Sequence, residues 1–412
     1  MNASDVVIVG AGHGGSQAAI VLRQLNFDGA ITIVGDEPHL PYERPPLSKD
    51  YLAGDKTFER CLIRPAAFWT EQRITMRLGH RVAAVRPETR RLEFQDGGEL
   101  NYGVLIWAAG GKPRMLACPG ADFPEVHTVR DRADVDALVG QLGRGDRVVV
   151  VGGGFIGLEA AAVLTKLGKR VVVLEALDRL LPRVAGEGIS RFYEAEHRAQ
   201  GVDVRTDAAV ECLEGRDGHL TGVRLKDGQV LPADLVIVGI GINPSVAPIL
   251  AAGAVGDIGV EVDEACRTSL PNVYAIGDCA VQANPFAEGR RVRIESVQNA
   301  TNQAGVATRH LMGLDGPSPA APWFWSDQYD LKLQTVGLAA GYDATVLRGD
   351  PATRSFSVVY LRDGRVVALD CVNATRDYVQ GRRLVELGLR IDPALLSDVE
   401  QPLKEFASGQ AG

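Results

Sequence analysis

No two of the six cysteines, Cys61, Cys118, Cys212, Cys266, Cys279 and Cys371, stand close enough in the chain to form a CxxC or CxxxxC pair. That spacing excludes a local redox dithiol and matches the scattered reduced thiols of a cytosolic protein. The seven histidines form no HxxxH or His/Cys cluster, so no metal site is expected. No apolar run approaches the roughly 18 residues of a membrane span. The N-terminal Met-Asn-Ala-Ser-Asp carries no basic region, and the apolar Val6–Val9 breaks at once into glycines, so no signal peptide is read and the cytoplasm is the expected location. Basic excess is also lacking. A net charge of -8 suits neither nucleic-acid phosphates nor anionic membranes. An acidic partner would need a local basic patch working against the global field.

What is present is the mix of a globular enzyme, 46% hydrophobic and 23% charged, in 412 residues, enough for two or three domains. Val6–Val9 reads as a strand, 16–25 as a helix with Ala19, Leu22 and Leu25 on one face, and Ile31–Val34 as a second strand. The pattern returns as a strand over 147–151, a glycine turn, a helix over 158–167 and a strand over 170–174. Two β-α-β units imply two parallel sheets and two separate dinucleotide sites. Further strands are read at 105–109, 235–239 and 272–276. A Gly/Pro/Ser/Ala segment, Gly313–Pro322, reads as a linker. Beyond it, alternating runs at 356–361 and 366–372 joined through Asp363-Gly364 predict a hairpin, followed by a helix over about 376–387. The fold class is therefore α/β with a small C-terminal α+β domain.

Gly10, Gly12 and Gly15 form GxGxxG between a strand and a helix, and Asp36 follows the next strand. The first glycine permits the tight turn, the second lets backbone approach a pyrophosphate, and the third lets the helix pack close. Gly152, Gly154 and Gly157 repeat the motif, and Glu175 ends the following strand. A carboxylate there accepts from a ribose 2′-hydroxyl and repels a 2′-phosphate, favouring NADH over NADPH. Arg179 and Arg183 nearby soften that preference; each is also readable as a solvated helix start or a pyrophosphate contact. The glycines alone do not say which site takes FAD and which NAD. Asp278 ends an apolar strand at the carboxyl edge of a sheet, where ligands of open α/β sheets bind. Ser296 reads as the cap of a helix running to about Leu311, whose positive end would favour a reduced flavin. Glu159, read as two residues into the second fingerprint helix, has the plain role of stabilising a helix N-terminus.

Six segments together resemble the FAD-dependent pyridine nucleotide reductase superfamily, specifically its oxygenase-coupled ferredoxin reductases. They are Gly10-Ala-Gly-His-Gly-Gly15, Arg44-Pro-Pro-Leu-Ser-Lys49, Gly152-Gly-Gly-Phe-Ile-Gly-Leu-Glu159, Tyr274-Ala-Ile-Gly-Asp-Cys-Ala280, Arg293-Ile-Glu-Ser-Val-Gln-Asn299 and Trp323-Phe-Trp-Ser-Asp-Gln328. The resemblance covers nearly the whole chain. It implies two Rossmann-like domains, a discontinuous FAD-binding domain (1–111 and 243–322) and an NAD-binding domain (112–242), plus a C-terminal α+β domain (323–412) covering the flavin. It implies that Asp278 meets the flavin ribitol and that Lys49, Val82, Arg130 and Val297 border FAD. It further implies that Trp325 approaches the isoalloxazine, that Lys49 pairs with Glu159 beside flavin and nicotinamide, and that Gly14, Ile156, Arg183 and Gly241 belong to the two cofactor sites.

Disulfide reductases of this superfamily discharge flavin through a cysteine pair. Its NADH peroxidases and oxidases use one cysteine near the segment held here by Leu47-Ser48-Lys49. The chain has neither, which leaves one-electron release to a carrier. The resemblance names a [2Fe–2S] ferredoxin feeding a cytochrome P450 or a ring-hydroxylating dioxygenase. The alternatives are a rubredoxin reductase and an NADH-gated binding flavoprotein resembling apoptosis-inducing factor; the short last domain speaks against the latter.

Overall fold

The computed structural model describes residues 5–317 and 319–408; residues 1–4, within the N-terminal segment read above, Ser318 of the linker and 409–412 of the C-terminal domain lie outside the described residues. The chain divides into two compact units. One contains the chain up to Arg44, Phe58–Lys112 and Asn243–Trp323; the other contains Pro45–Thr57, Pro113–Ile242 and the chain from Phe324 onward.

In the first unit, strands Val273–Ala275, Val104–Trp107, Val6–Val9, Ile31–Gly35 and Ile74–Leu78 lie side by side in that order, all parallel. Val6–Val9 is buried at every position because both faces of this sheet are covered. Val6 and Ile8 pack with Ala18, Ala19 and Leu22 of helix His13–Gln24 and with Ala304 and Ala307 of helix Val297–Leu311. Val7 and Val9 pack against Val82, Val85, Leu92 and Phe94 of an antiparallel ribbon, strands Val82–Arg86, Arg91–Phe94 and Glu99–Asn101. Each such aliphatic burial contributes about 1.5–3 kcal/mol.

The second unit repeats the plan. Asp203–Arg205, Arg170–Leu174, Arg147–Val151, Leu235–Val238 and Val126–His127 form a parallel sheet. Val149 and Val151 meet Leu213, Leu220 and Val223 of a second antiparallel ribbon. This unit also carries a five-stranded sheet in the order Trp323–Gln328, Leu331–Gly337, Arg365–Val372, Ser355–Arg362 and Ala344–Asp350, with helix Thr375–Leu387 packed on it. Asp363 and Gly364 take φ of 48° and 73°, as a two-residue hairpin turn requires.

Both fingerprint helices start earlier than the apolar periodicity suggests, at His13 and Phe155. The extra residues are single first turns, His13–Gly15 and Phe155–Gly157, that follow a glycine cap and end in glycine, so they add no repeat of the apolar stripe. Among the described residues no helix is long and apolar enough to cross a membrane.

Candidate functional site

The two fingerprint turns are built alike. Gly10 and Gly152 take φ of 117° and 110°, a region closed to most side chains. Their amides donate to Val34 and Leu174 at 2.7 and 2.8 Å, tying each turn to the following strand. A Cβ on Gly15 would stand 1.9 Å from the Gly10 carbonyl oxygen, and one on Gly157 2.2 Å from that of Gly152. A Cβ on Gly12 would meet nothing within 4 Å. Gly12 and Gly154 are the N-cap residues, and neither helix has a side-chain cap. Each helix thus starts without a side-chain cap beside a glycine whose Cβ would meet no close neighbour, with the positive helix end behind it, which fits a pyrophosphate.

Several implied residues of the first unit gather at this turn. Gly14 lies against Ala300 and Ile276, and Gly277 against Ala300. The turn carrying Asp278 is held from both sides: Gly277 donates to the Gln303 side chain at 2.7 Å, and Arg293 donates to the Asp278 carbonyl at 3.0 Å. Val297 opens the helix that Ser296 caps, its hydroxyl accepting from the Asn299 amide at 3.0 Å. Asp36, exposed at the end of its strand, is paired with Arg81 at 3.0 Å and Lys112 at 3.6 Å. Arg81 directly precedes Val82, which is buried in the ribbon. The group's residues fit FAD: an uncapped helix start, an acid after the second strand, and a rigid acidic turn at the sheet edge.

In the second unit, Glu175 does more than end its strand. Its carboxylate accepts from the Gly153 amide at 2.8 Å and the Leu177 amide at 3.0 Å, bridging the fingerprint turn to its own loop. Lone pairs remain for a ribose diol. Gly239, two residues before Gly241, packs on Gly157. Arg179 spends its guanidinium on the Ala185 and Pro182 carbonyls and the Ser190 hydroxyl, while Arg183 is exposed, as is Ile156. Glu175→Ala is expected to shift the ratio of NADPH to NADH kcat/KM towards NADPH by roughly ten- to a hundredfold, the worth of one good polar contact. Wild-type protein using both nucleotides equally would remove Glu175 as selector.

Glu159 is not at the helix N-terminus. Because the helix begins at Phe155, Glu159 is in its second turn, 1% exposed, and its role as a simple helix-end charge is excluded. Its Oε2 accepts from Lys49 Nζ at 2.6 Å and from the Ser48 hydroxyl at 2.5 Å; its Oε1 accepts from the Ser326 hydroxyl at 2.6 Å. Burial pushes its pKa up, and Lys49, Ser326 and Ser48 oppose that rise. Lys49 directly follows the short Pro45–Ser48 helical turn, whose prolines stiffen the approach. Ser48 and Ser326 lie inside the quoted motifs, yet a serine after proline or in a strand reads as turn or packing residue, so sequence reasoning passed over both. Phe324 stacks on Phe155 at 4.6 Å and on Trp325 at 6.2 Å, which links the half-buried Trp325 to the start of the fingerprint helix. Arg130 stands just before helix Arg132–Gln141, where its amide donates to Asp134.

Cys61, Cys266, Cys279 and Cys371 are buried, while Cys118 and Cys212 are partly buried. Burial pushes the Cys266 and Cys279 thiols up to about 12, so neither is a nucleophile near neutrality.

The fold and its two glycine cradles define a protein that holds two dinucleotides. Residues 4–304 match the pyridine nucleotide-disulphide oxidoreductase family and residues 323–407 the reductase C-terminal family. The chain belongs to the pyridine nucleotide-disulphide oxidoreductase family. It is 60% identical to the 5,5'-dehydrodivanillate O-demethylase ferredoxin reductase subunit of a Sphingobium species, covering 98% of this chain and 99% of that one. It is 41% identical to putidaredoxin reductase of Pseudomonas putida, over 98% and 97% of the two chains. The crystal structure of the covalent putidaredoxin reductase–putidaredoxin complex superposes with a TM-score of 0.96 at 40% identity, over 99% of each chain.

Proposed function

We propose that the protein is an NADH-dependent ferredoxin reductase that moves hydride from NADH to FAD and single electrons on to a [2Fe–2S] ferredoxin serving a cytochrome P450 or a ring-hydroxylating dioxygenase. Residues 1–111 with 243–322 hold FAD, residues 112–242 hold NADH, and the cytoplasm, where scattered reduced thiols persist, is the setting. The observation that carries this reading is the segment Leu47–Lys49, which offers Glu159 a serine hydroxyl and an ammonium where thiol-dependent relatives carry a reactive cysteine. Bound FAD supplies two-electron acceptance and one-electron release. Around it, Gly10–Gly15 would hold the pyrophosphate, Asp278 and Val297 would orient the flavin, and Trp325 would exclude water from its face. Lys49 would stabilise the charge that hydride transfer develops, Glu159 would orient Lys49, and Glu175 would select NADH.

The purified protein should be yellow, release FAD and not FMN on denaturation, and bleach under anaerobic NADH. Release of FMN, or a flavin that NADH leaves oxidised, would contradict the reading.

A further inference from the structure

Behind Glu159 runs a line of buried polar side chains that the reaction as described does not use. Ser326, Gln328 and His197 are each no more than 1% exposed. The Gln328 side-chain amide donates to Ser326 Oγ at 3.1 Å. Gln328 Oε1 lies 2.8 Å from His197 Nε2, and His197 Nδ1 lies 3.0 Å from the Tyr329 hydroxyl. We propose that Tyr329, His197, Gln328 and Ser326 form a one-way positioning relay that holds Glu159 ionised and aimed at Lys49. The inference rests on the proposed placement of the Lys49–Glu159 pair at the hydride-transfer site.

The direction of the relay follows from donor counting. An ionised carboxylate only accepts, so the Ser48 and Ser326 hydroxyls both donate to Glu159. Ser326, its proton spent, accepts from the Gln328 amide nitrogen. The Gln328 oxygen therefore faces His197, whose Nε2 must carry hydrogen. A neutral imidazole then has only Nδ1 left to accept, and Tyr329 donates to it. Burial lowers the His197 pKa to about 4, which keeps the ring neutral in the working range. Every donor points towards Glu159, and such aligned dipoles reinforce one another in a low-dielectric interior. An amide in the line does not hand on a proton, so this is a device for holding charge, not for moving it. The titratable groups that face Glu159 are Lys49 and, further off, Tyr193, whose phenol burial keeps protonated. His197 faces the Gln328 amide and the Tyr329 phenol, which burial pushes up to about 12, with the Glu196 carboxylate adding to that rise.

The test reads the Glu159 carboxyl directly. Infrared difference spectra of the flavin-loaded protein against pH, with Glu159→Gln to assign the band, should show a carboxylate throughout the neutral range. Ser326→Ala removes one donor to a charged acceptor and should raise the Glu159 pKa by about one unit or more, roughly a tenfold change in its ionisation constant. Flavin reduction by NADH in that variant should slow about tenfold on the acid side and recover as pH rises, because Glu159 ionises again. Ser326→Thr, which keeps the hydroxyl, should restore both readouts. His197→Phe should act in the same direction and His197→Gln, which can still donate to Gln328, should rescue it; this pair carries the test if Ser326→Ala does not fold. An unchanged carboxyl band and pH profile in Ser326→Ala and His197→Phe, with Glu159→Gln still slowing reduction, overturns the relay. A shifted band with normal reduction in every variant, Glu159→Gln included, overturns instead the placement of the pair at the reaction.

Discussion

Gly15→Ala and Gly157→Ala are expected to remove one dinucleotide each. In Gly15→Ala the new Cβ would sit 1.9 Å from the Gly10 carbonyl oxygen and 3.1 Å from Ile8 Cγ2. Both neighbours are fixed: the carbonyl belongs to the turn, and Ile8 is fully buried in the central strand. The helix can only move away from the turn, and the amides that would meet a pyrophosphate move with it. Misplacement on the order of an ångström costs about a hundredfold or more in such sites, so Gly15→Ala should purify with less than about a tenth of the wild-type FAD. Gly157→Ala faces the same obstruction, 2.2 Å from the Gly152 oxygen, in the second unit. It should retain FAD and be reduced normally by dithionite, while its apparent affinity for NADH falls by about a hundredfold. Flavin quantitation and NADH titration of the two variants check this together. The reverse pattern, with FAD lost from Gly157→Ala, would exchange the two cofactor assignments.

The second large effect is kinetic. Lys49→Ala should slow flavin reduction by NADH, measured per bound flavin in anaerobic stopped flow, by on the order of tenfold or more, because an ammonium that stabilises developing charge acts on the transition state. It also strands Glu159, 1% exposed and deprived of its cation, so burial is opposed only by the two serines. Electron exit from flavin already reduced with dithionite should change little. An unchanged reduction rate per flavin would leave Lys49 a structural residue.

Much of this molecule is legible before any coordinates. The two β-α-β units, the β-branched strands and the Asp363-Gly364 hairpin turn announce themselves because their signals are local: period, turn chemistry and run length. Helix starts at His13 and Phe155 are not announced, since glycine-led first turns carry no apolar stripe. That offset of a few residues turned Glu159 from a buried acceptor into an apparent helix-end charge. The two antiparallel ribbons went unread for a related reason: short half-exposed strands such as Glu99–Asn101 give too few alternations to count. The Lys49–Glu159 pair spans 110 positions of sequence, so only a family resemblance joins its members. Ser48, Ser326, Gln328 and His197 lie deeper still. Each is a commonplace residue until the fold empties water from around it, after which every donor needs an acceptor.

The most direct test of the account is to reduce the protein with one equivalent of NADH without oxygen and mix it with oxidised [2Fe–2S] ferredoxins, following flavin and iron–sulfur absorbance together. The account predicts that a ferredoxin of the host's oxygenase systems reoxidises the flavin rapidly, with two ferredoxins reduced per NADH consumed and no change when any one cysteine is replaced by serine. Reduced flavin that persists before every ferredoxin yet yields electrons to a rubredoxin, or that discharges only while an intact cysteine is present, would contradict it.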